Sequence, residues 1–435
     1  MASKRRVRRT AGLISCYFSD ALIKLAEGFD GRATRGRRWK SGLPLLKAAM
    51  LGVGAGCKGT AEVEEMTEEM FKSVRKLVGI ARRVPDTTMR DFLCKGDPEE
   101  LSNLLYIVGY DAWRRKALRP REDIDIPFAV ISMDGKYPSI RDTGNNENLQ
   151  VHHDEEGNAT HGLLRTVTST LITAQGRPIL GAVPVRGDTN EQGSFKKAFG
   201  DNVRIYGRLF KVVTYDAGAT SRSNADAVRS AGKHYLFQIA DPRWVMYQTV
   251  ALLFDGKSPD VVDEEIVSSN CRVVRELTVL PIAPTRKNLT MWKHTKTILR
   301  VHSRTYENGQ LTGTKTRYFV TSMEHSALRA DQWLKLVVLR WGVETSHQIL
   351  DTAFEEDNRP WITEDARGAL VVQLLRRIVY TIMTLYKSCT IRSEEERDMP
   401  WRRYLEWVRD LLKWPNAEEL VGLRSRKFAV PRALA

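Results

Sequence analysis

Two short apolar, β-branched runs in this chain each stop on an aspartate followed by a small residue: VISMDGK on Asp134 and VVTYDAG on Asp216. Both read as buried strands. A carboxylate at the buried end of an apolar strand is costly unless it is paired or binds a metal, so two of them on strands that lie side by side point to a site. Either aspartate taken alone also suits a turn before Gly or Ala. In the order of elements read below, the two runs lie side by side.

The pattern around them supplies an order of elements. Residues 1 to about 120 carry apolar spacing near 3.6, as in SDALIKLAEG, LPLLKAAMLGVGAG and EELSNLLYIVGYDAWRRKAL, and predict helices. Strand patterns begin near residue 125 with IPFAVISMDGKY. GLLRTVTSTLIT and RPILGAVPVR flank the turn AQG and predict a hairpin. A capped helix follows in GDTNEQGSFKKAFG, then the strand RLFKVVTYDAG, the helix SRSNADAVRSAG and the strand KHYLFQIA. Three hairpin-connected strands, then helix, strand, helix, strand is the order of a ribonuclease-H-like α/β fold, a mixed sheet with flanking helices. Residues from about 245 to 325 are strand-rich again and predict a β-rich insertion with a hairpin at ENGQ; Trp292 within it suits packing better than stacking on a base. The chain then turns helical, giving expected regions of 1–120, 121–385 and 386–435.

Charge narrows the partner. The chain of 435 residues has a formal net charge of +15, and an excess of Lys and Arg binds polyphosphate by displacing its counterions. The clusters KRRVRR and RATRGRRWK lie among the N-terminal helices, and RRVPDTTMRDFL has the Pro, Asp and short helix of a helix-turn-helix entry into DNA. Arg37, Arg38, Lys40 and Arg90 are the candidate DNA contacts there. The longest apolar runs fall short of a membrane span, and the basic N-terminus lacks a small-residue cleavage site, so a cytoplasmic protein is expected. Five scattered cysteines without C-x-x-C spacing argue against a disulfide framework or a zinc site, and VHHDEEGNATHG reads as a polar loop. Nucleophile-elbow and Walker patterns are absent.

In-line attack on a phosphodiester can be catalysed by two divalent ions held by hard oxygen ligands. A minimal cage is two or three carboxylates on rigid elements. Glu344 is the candidate third ligand. Read as one continuous helix, LRADQWLKLVVLRWGVETSHQILDTAF puts Arg340, Glu344, His347 and Asp351 on one stripe beside an apolar stripe of Leu339, Val343 and Leu350.

The combination of MDGK, TYDAG and LRWGVE followed by LDTAFEED resembles the DDE transposases of bacterial insertion sequences, notably the H-repeat-associated branch. The resemblance spans residues from about 30 to 385 and includes VPDTTMRDFL before a DPEEL helix, GDTNE, HYLFQIADP and TRYFVTSM. It implies the ribonuclease-H-like fold with the insertion between Asp216 and Glu344, and metal-dependent transfer of DNA strands. In the related pattern Y-x-x-R-x-x-x-E-x-x-x-x-x-x-K, Arg340 and Glu344 match, whereas Val337 stands for Tyr and Asp351 for Lys, which leaves a hairpin route open. Asp351, Glu356 and Asp357 match an acidic run of the branch and are not counted as ligands.

These readings combine into one expectation. Asp134, Asp216 and Glu344 hold two Mg2+ ions, with Mn2+ as a substitute; Arg340 meets the scissile or an adjacent phosphate, Lys136 the DNA backbone, and the N-terminal helices the inverted repeats. A homodimer on double-stranded DNA, synapsing two ends before joining them to target DNA, is expected in a bacterial cytoplasm. A transposase-derived DNA-binding protein without cleavage, and a hydrolytic nuclease of the same fold, are the alternatives.

Overall fold

Strand β1 (Val130–Lys136) has a continuously buried start, VISM, and occupies the middle of a nine-stranded sheet. The computed structural model that shows this describes residues 4–33, 39, 41–282, 292–391, 393–413 and 427–434. Ahead of β1 come helices α1 (Lys4–Tyr17), α2 (Asp20–Ile23), α3 (Leu43–Gly54), α4 (Thr60–Glu69), α5 (Lys72–Val78), α6 (Asp86–Cys94) and α7 (Pro98–Arg114). After it come β2 (Ser139–Ile140), β3 (Leu149–His153), β4 (Ala159–Leu164), β5 (Thr166–Leu171), β6 (Ile179–Pro184), α8 (Glu191–Tyr206), β7 (Val212–Tyr215), α9 (Arg222–Ser230) and β8 (His234–Ile239). The chain continues through α10 (Val245–Leu253), β9 (Val261–Ser268), β10 (Cys271–Pro281), β11 (Thr297–Glu307), β12 (Gln310–Thr321), α11 (Ala330–Leu339), α12 (Gly342–Thr352), α13 (Ala366–Thr390), α14 (Glu394–Arg397) and α15 (Trp401–Leu412).

The large sheet runs β6-β5-β1-β7-β8-β12-β11-β10-β9. β1 pairs antiparallel with β5 and parallel with β7, and β7 pairs parallel with β8. Thus the strands leading to Asp134 and Asp216 are neighbours, as the expected order of elements placed them. This mixed α/β arrangement is compatible with the ribonuclease-H-like order. Local signals agree with it: Asn190 caps α8 and Ser221 caps α9 with their side chains, and Asn308 and Gly309 take the left-handed φ of 50° and 80° that a tight β11–β12 hairpin needs.

Alternation along β1 sorts the two faces. Ile131 and Met133 join a core with Phe195 and Phe199 of α8, Val228 of α9 and Val250 of α10. Val130 joins the opposite core, with Leu336 and Val337 of α11. Ser132, Asp134 and Lys136 therefore share the α11 side of the sheet.

The strand-rich stretch after α10 joins the main sheet: β12 pairs with β8 through Thr321 to Tyr318, so β9 to β12 prolong it. Trp292 is buried with its ring 6.1 Å from that of Tyr235, which makes it a packing residue. The N-terminal helices also do not stand alone. Leu45 and Val53 of α3, Val63 of α4, Phe92 of α6 and Leu104 of α7 form one core with Leu374, Val379 and Met383 of α13 and Leu405 and Val408 of α15. α13 is long and apolar enough to cross a membrane, but its apolar stretch is wholly buried in protein, as in a core helix.

Candidate active site

The site grows out of one row across the sheet. β1 and β7 run parallel with Met133 opposite Tyr215, so the next step along both strands brings Asp134 and Asp216 level. Tyr215 in turn faces Phe237, which sets Gln238 of β8 beside Asp216, and Gln238 faces Phe319 of β12. On the other side Asp134 faces Thr168 of β5. Asp216 does serve its turn: its carboxylate accepts from the Gly218 N–H at 2.8 Å and caps the single 3-10 turn Ala217–Ala219.

Over this row the expected long helix is broken. α11 ends at Leu339 and α12 starts at Gly342. The carbonyl of Arg340, left without a helical donor, accepts from Ser132 Oγ at 2.9 Å, which fastens the break to β1. A Cβ on Gly342 would lie 3.0 Å from Ile172 Cγ2 and 3.2 Å from Arg177 Cδ, so glycine permits the close approach of α12 to the sheet. Arg340 consequently sits at the break while Glu344 sits in the first turn of α12.

Three contacts climb α12 as β1 advances. Ser132 holds Arg340, Asp134 Oδ2 lies 3.4 Å from His347 Nδ1, and Lys136 pairs with Asp351. Two residues of strand advance about 7 Å and four residues of helix about 6 Å, so His347 and Asp351 keep step with Asp134 and Lys136, while Arg340, seven residues before His347, meets Ser132 at the break.

Charge is concentrated here. Arg340 is only 6% exposed; it donates to Gln238 Oε1 at 2.9 Å and lies over the rings of Phe319 and Trp341. Burial lowers its pKa, while the charges of Glu344, Asp216 and Asp134 oppose that shift. Burial raises the Asp216 carboxyl above its ordinary range against the Gly218 hydrogen bond, and the charge of Asp134 pushes the same way. Glu344 opens to solvent, yet the protein around it raises its carboxyl too; Arg340 opposes this, and Asp134 and Asp216 add to it. Asp134, Asp216, Glu344 and Arg340 are thus brought within electrostatic reach of one another.

The donor set of two partly buried aspartates and a solvent-open glutamate, mutually repelling, fits hard divalent cations. The carboxylate oxygens are spread more widely than the shell of one ion, since among the described residues the group whose ligand atoms all lie within 4.8 Å is Asp351, Glu356 and Asp357. That cluster could in principle take a cation, but it already holds one: the ammonium of Lys136, paired with Asp351, 3.2 Å from Glu356 and 3.3 Å from Asp357. Glu356 also pairs with Arg377 at 2.7 Å, with both side chains buried. Against the burial penalty, Arg377, Lys136 and Arg376 pull the Glu356 carboxyl down to about 2.

The remaining expected site residues are scattered. Lys136 is buried, its charge spent on the acidic cluster rather than offered to a DNA backbone. Arg90 is on the surface of α6, 3.3 Å from Glu364. Arg37, Arg38 and Lys40 lie outside the described residues. Sequence reasoning passed over His347, Gln238 and Ser132 as site residues. Ser132 stands two positions before Asp134 and His347 one helical turn after Glu344, so period alone could have picked them out; Gln238 needed the strand register.

No family model matches the chain, and no curated protein does. Among solved structures, a piggyBac transposase in a synaptic complex with hairpin DNA is similar with a TM-score of 0.43 and 11% identity, over 95% of this chain and 84% of that one.

Proposed function

We propose that this chain is a DDE transposase of the bacterial insertion-sequence type, nearest in its motifs to the H-repeat-associated branch. The observation that carries the reading is the alignment of Asp134 and Asp216 in one cross-strand row beneath the helix break that holds Arg340 and Glu344. The net charge of +15 supports DNA as the partner. Asp134, Asp216 and Glu344 would hold two magnesium or manganese ions, which when bound supply an activated oxygen nucleophile and stabilise the leaving oxygen.

The protein's own groups do the rest. Water attacks the phosphodiester at an element end, the P–O3′ bond breaks, and the freed 3′-hydroxyl then attacks a phosphodiester of target DNA with loss of that strand's 3′-oxygen. Two carboxylates on adjacent strands and a third on a helix tied to β1 keep the reacting centre rigid. Arg340, desolvated among carboxylates, gains more from a phosphate oxygen than an exposed arginine would. Two ends synapsed by a homodimer on DNA, in a cytoplasm where the nucleoid is accessible, complete the reading.

The test is magnesium-dependent nicking and joining of linear DNA bearing the element ends. Nicking by the wild-type protein, its loss in Asp134→Asn and Glu344→Gln, and covalent linkage of ends to a target plasmid are expected. Nicking that survives either substitution at the wild-type rate overturns the carboxylate assignment. Nicking without linkage identifies a hydrolytic nuclease instead, and DNA binding with no cleavage a transposase-derived binding protein.

A further inference from the structure

We infer that His347 is a positioning residue that fixes the carboxylate of Asp134 for cation binding. The inference rests on the proposed reading of Asp134 as a ligand but concerns a residue to which that reading gives no part.

On the α11 side of β1, Ser132 and Lys136 are each tied to the covering helices, by the Arg340 carbonyl and by the acidic cluster. Asp134 stands between them. Among the described residues its side-chain partner is His347, whose Nδ1 lies 3.4 Å from Oδ2. The imidazole is 9% exposed, and its other nitrogen, Nε2, is buried with no hydrogen-bond partner.

These facts select a tautomer. Nδ1 faces a carboxylate oxygen and Nε2 faces no acceptor, so the ring's single hydrogen gains more on Nδ1. The hydrogen therefore belongs on Nδ1, the nitrogen that faces Asp134 Oδ2 at 3.4 Å. Its ring is held in turn by α12, which the Arg340–Ser132 bond fastens to the same strand. Among the described residues, Asp134 has no backbone N–H on its carboxylate, whereas Asp216 has that of Gly218. An N–H aimed at Oδ2 from this position orients the Asp134 carboxylate and leaves its second oxygen for a ligand. Groups that orient a metal ligand in this way typically change affinity about 10- to 100-fold.

The experiment measures Mn2+ binding to the full chain by calorimetry without DNA, together with thermal melting, for the wild type, Asp134→Asn, His347→Phe and His347→Asn. His347→Phe keeps the volume and removes the donor; His347→Leu carries the same expectation should the phenylalanine not be accommodated. The amide nitrogen of asparagine falls near the position of Nδ1. The expected result is loss of binding in Asp134→Asn, binding weakened about 10- to 100-fold in His347→Phe, and recovery of most of that loss in His347→Asn, all three remaining folded. Wild-type affinity in His347→Phe or His347→Leu with binding lost in Asp134→Asn overturns the positioning role alone. Equal weakening in the phenylalanine and asparagine variants also overturns it, because the Nδ1 donor would then not be the cause. Undiminished binding in Asp134→Asn overturns the ligand assignment itself.

Discussion

On the proposed reading, Asp216 and Glu344 serve as ligands at a cost to the fold. Asp216 and Glu344 have carboxyls raised above their ordinary range by burial and by like charges. A carboxyl whose folded pKa lies above its unfolded value takes stability away as pH rises through that interval, and the loss persists above it. Asp216→Asn and Glu344→Gln are therefore expected to melt at or above the wild-type temperature without divalent ions, while magnesium-dependent nicking falls by at least about 10³-fold, roughly 4 kcal/mol. Melting curves and a nicking time course check the two halves. For the same reason metal binding is expected to tighten as pH rises through the range where these groups ionise. Glu356 behaves oppositely. Its folded pKa of about 2 lies below the unfolded value, so it stabilises above about pH 4.3 and that stability is lost as pH falls toward 2. Glu356→Gln, which strands buried Arg377 and Lys136, is expected to cost about 3–5 kcal/mol at neutral pH in urea titrations and to flatten the acid limb of the stability profile.

The break between α11 and α12 is the element that makes the site. The break lets the Arg340 carbonyl bond Ser132 while Arg340 and Glu344 stay within electrostatic reach. Gly342→Ala tests it. The added methyl meets Ile172 and Arg177 at 3.0–3.2 Å, and overpacking of this kind typically costs about 1–3 kcal/mol. Reduced nicking is expected beyond what the urea midpoint accounts for, because α12 carries Glu344. The helix itself was legible from its apolar spacing, and so was the need for a third carboxylate on it. Its interruption was not, since RWG contains no proline and the cause lies in what Ser132 and Ile172 offer from across the fold.

At the scale of the whole molecule, the chain is less divisible than its composition suggests. The basic N-terminal helices resemble a module, yet α3, α4, α6 and α7 bury their apolar faces against α13 and α15. A fragment of residues 121–435 would expose one face of α13, including Leu374, Val379 and Met383, and is expected to lack a cooperative thermal transition and to aggregate. A sharp, reversible transition in that fragment, followed by circular dichroism, would contradict the shared core. The sheet argues the same way: β9 to β12 continue it through β8, so the strand-rich stretch is an extension rather than an appended domain.

By itself the sequence determined the run of elements around Asp134, the capped helices α8 and α9 and the net positive charge. All of these follow from local periodicity, capping chemistry and composition. Tertiary structure alone decided the level pairing of Asp134 with Asp216, the break at Arg340, the contact of His347 with Asp134 and the capture of Lys136 by Asp351, Glu356 and Asp357. Their physical cause is register and packing between segments far apart in the chain. A lysine two residues beyond an aspartate looks the same whether it meets a phosphate or a buried carboxylate cluster, and the covering helices choose. The two aspartates that end the apolar runs were thus marked from the start, while the groups that orient them had to be found in space.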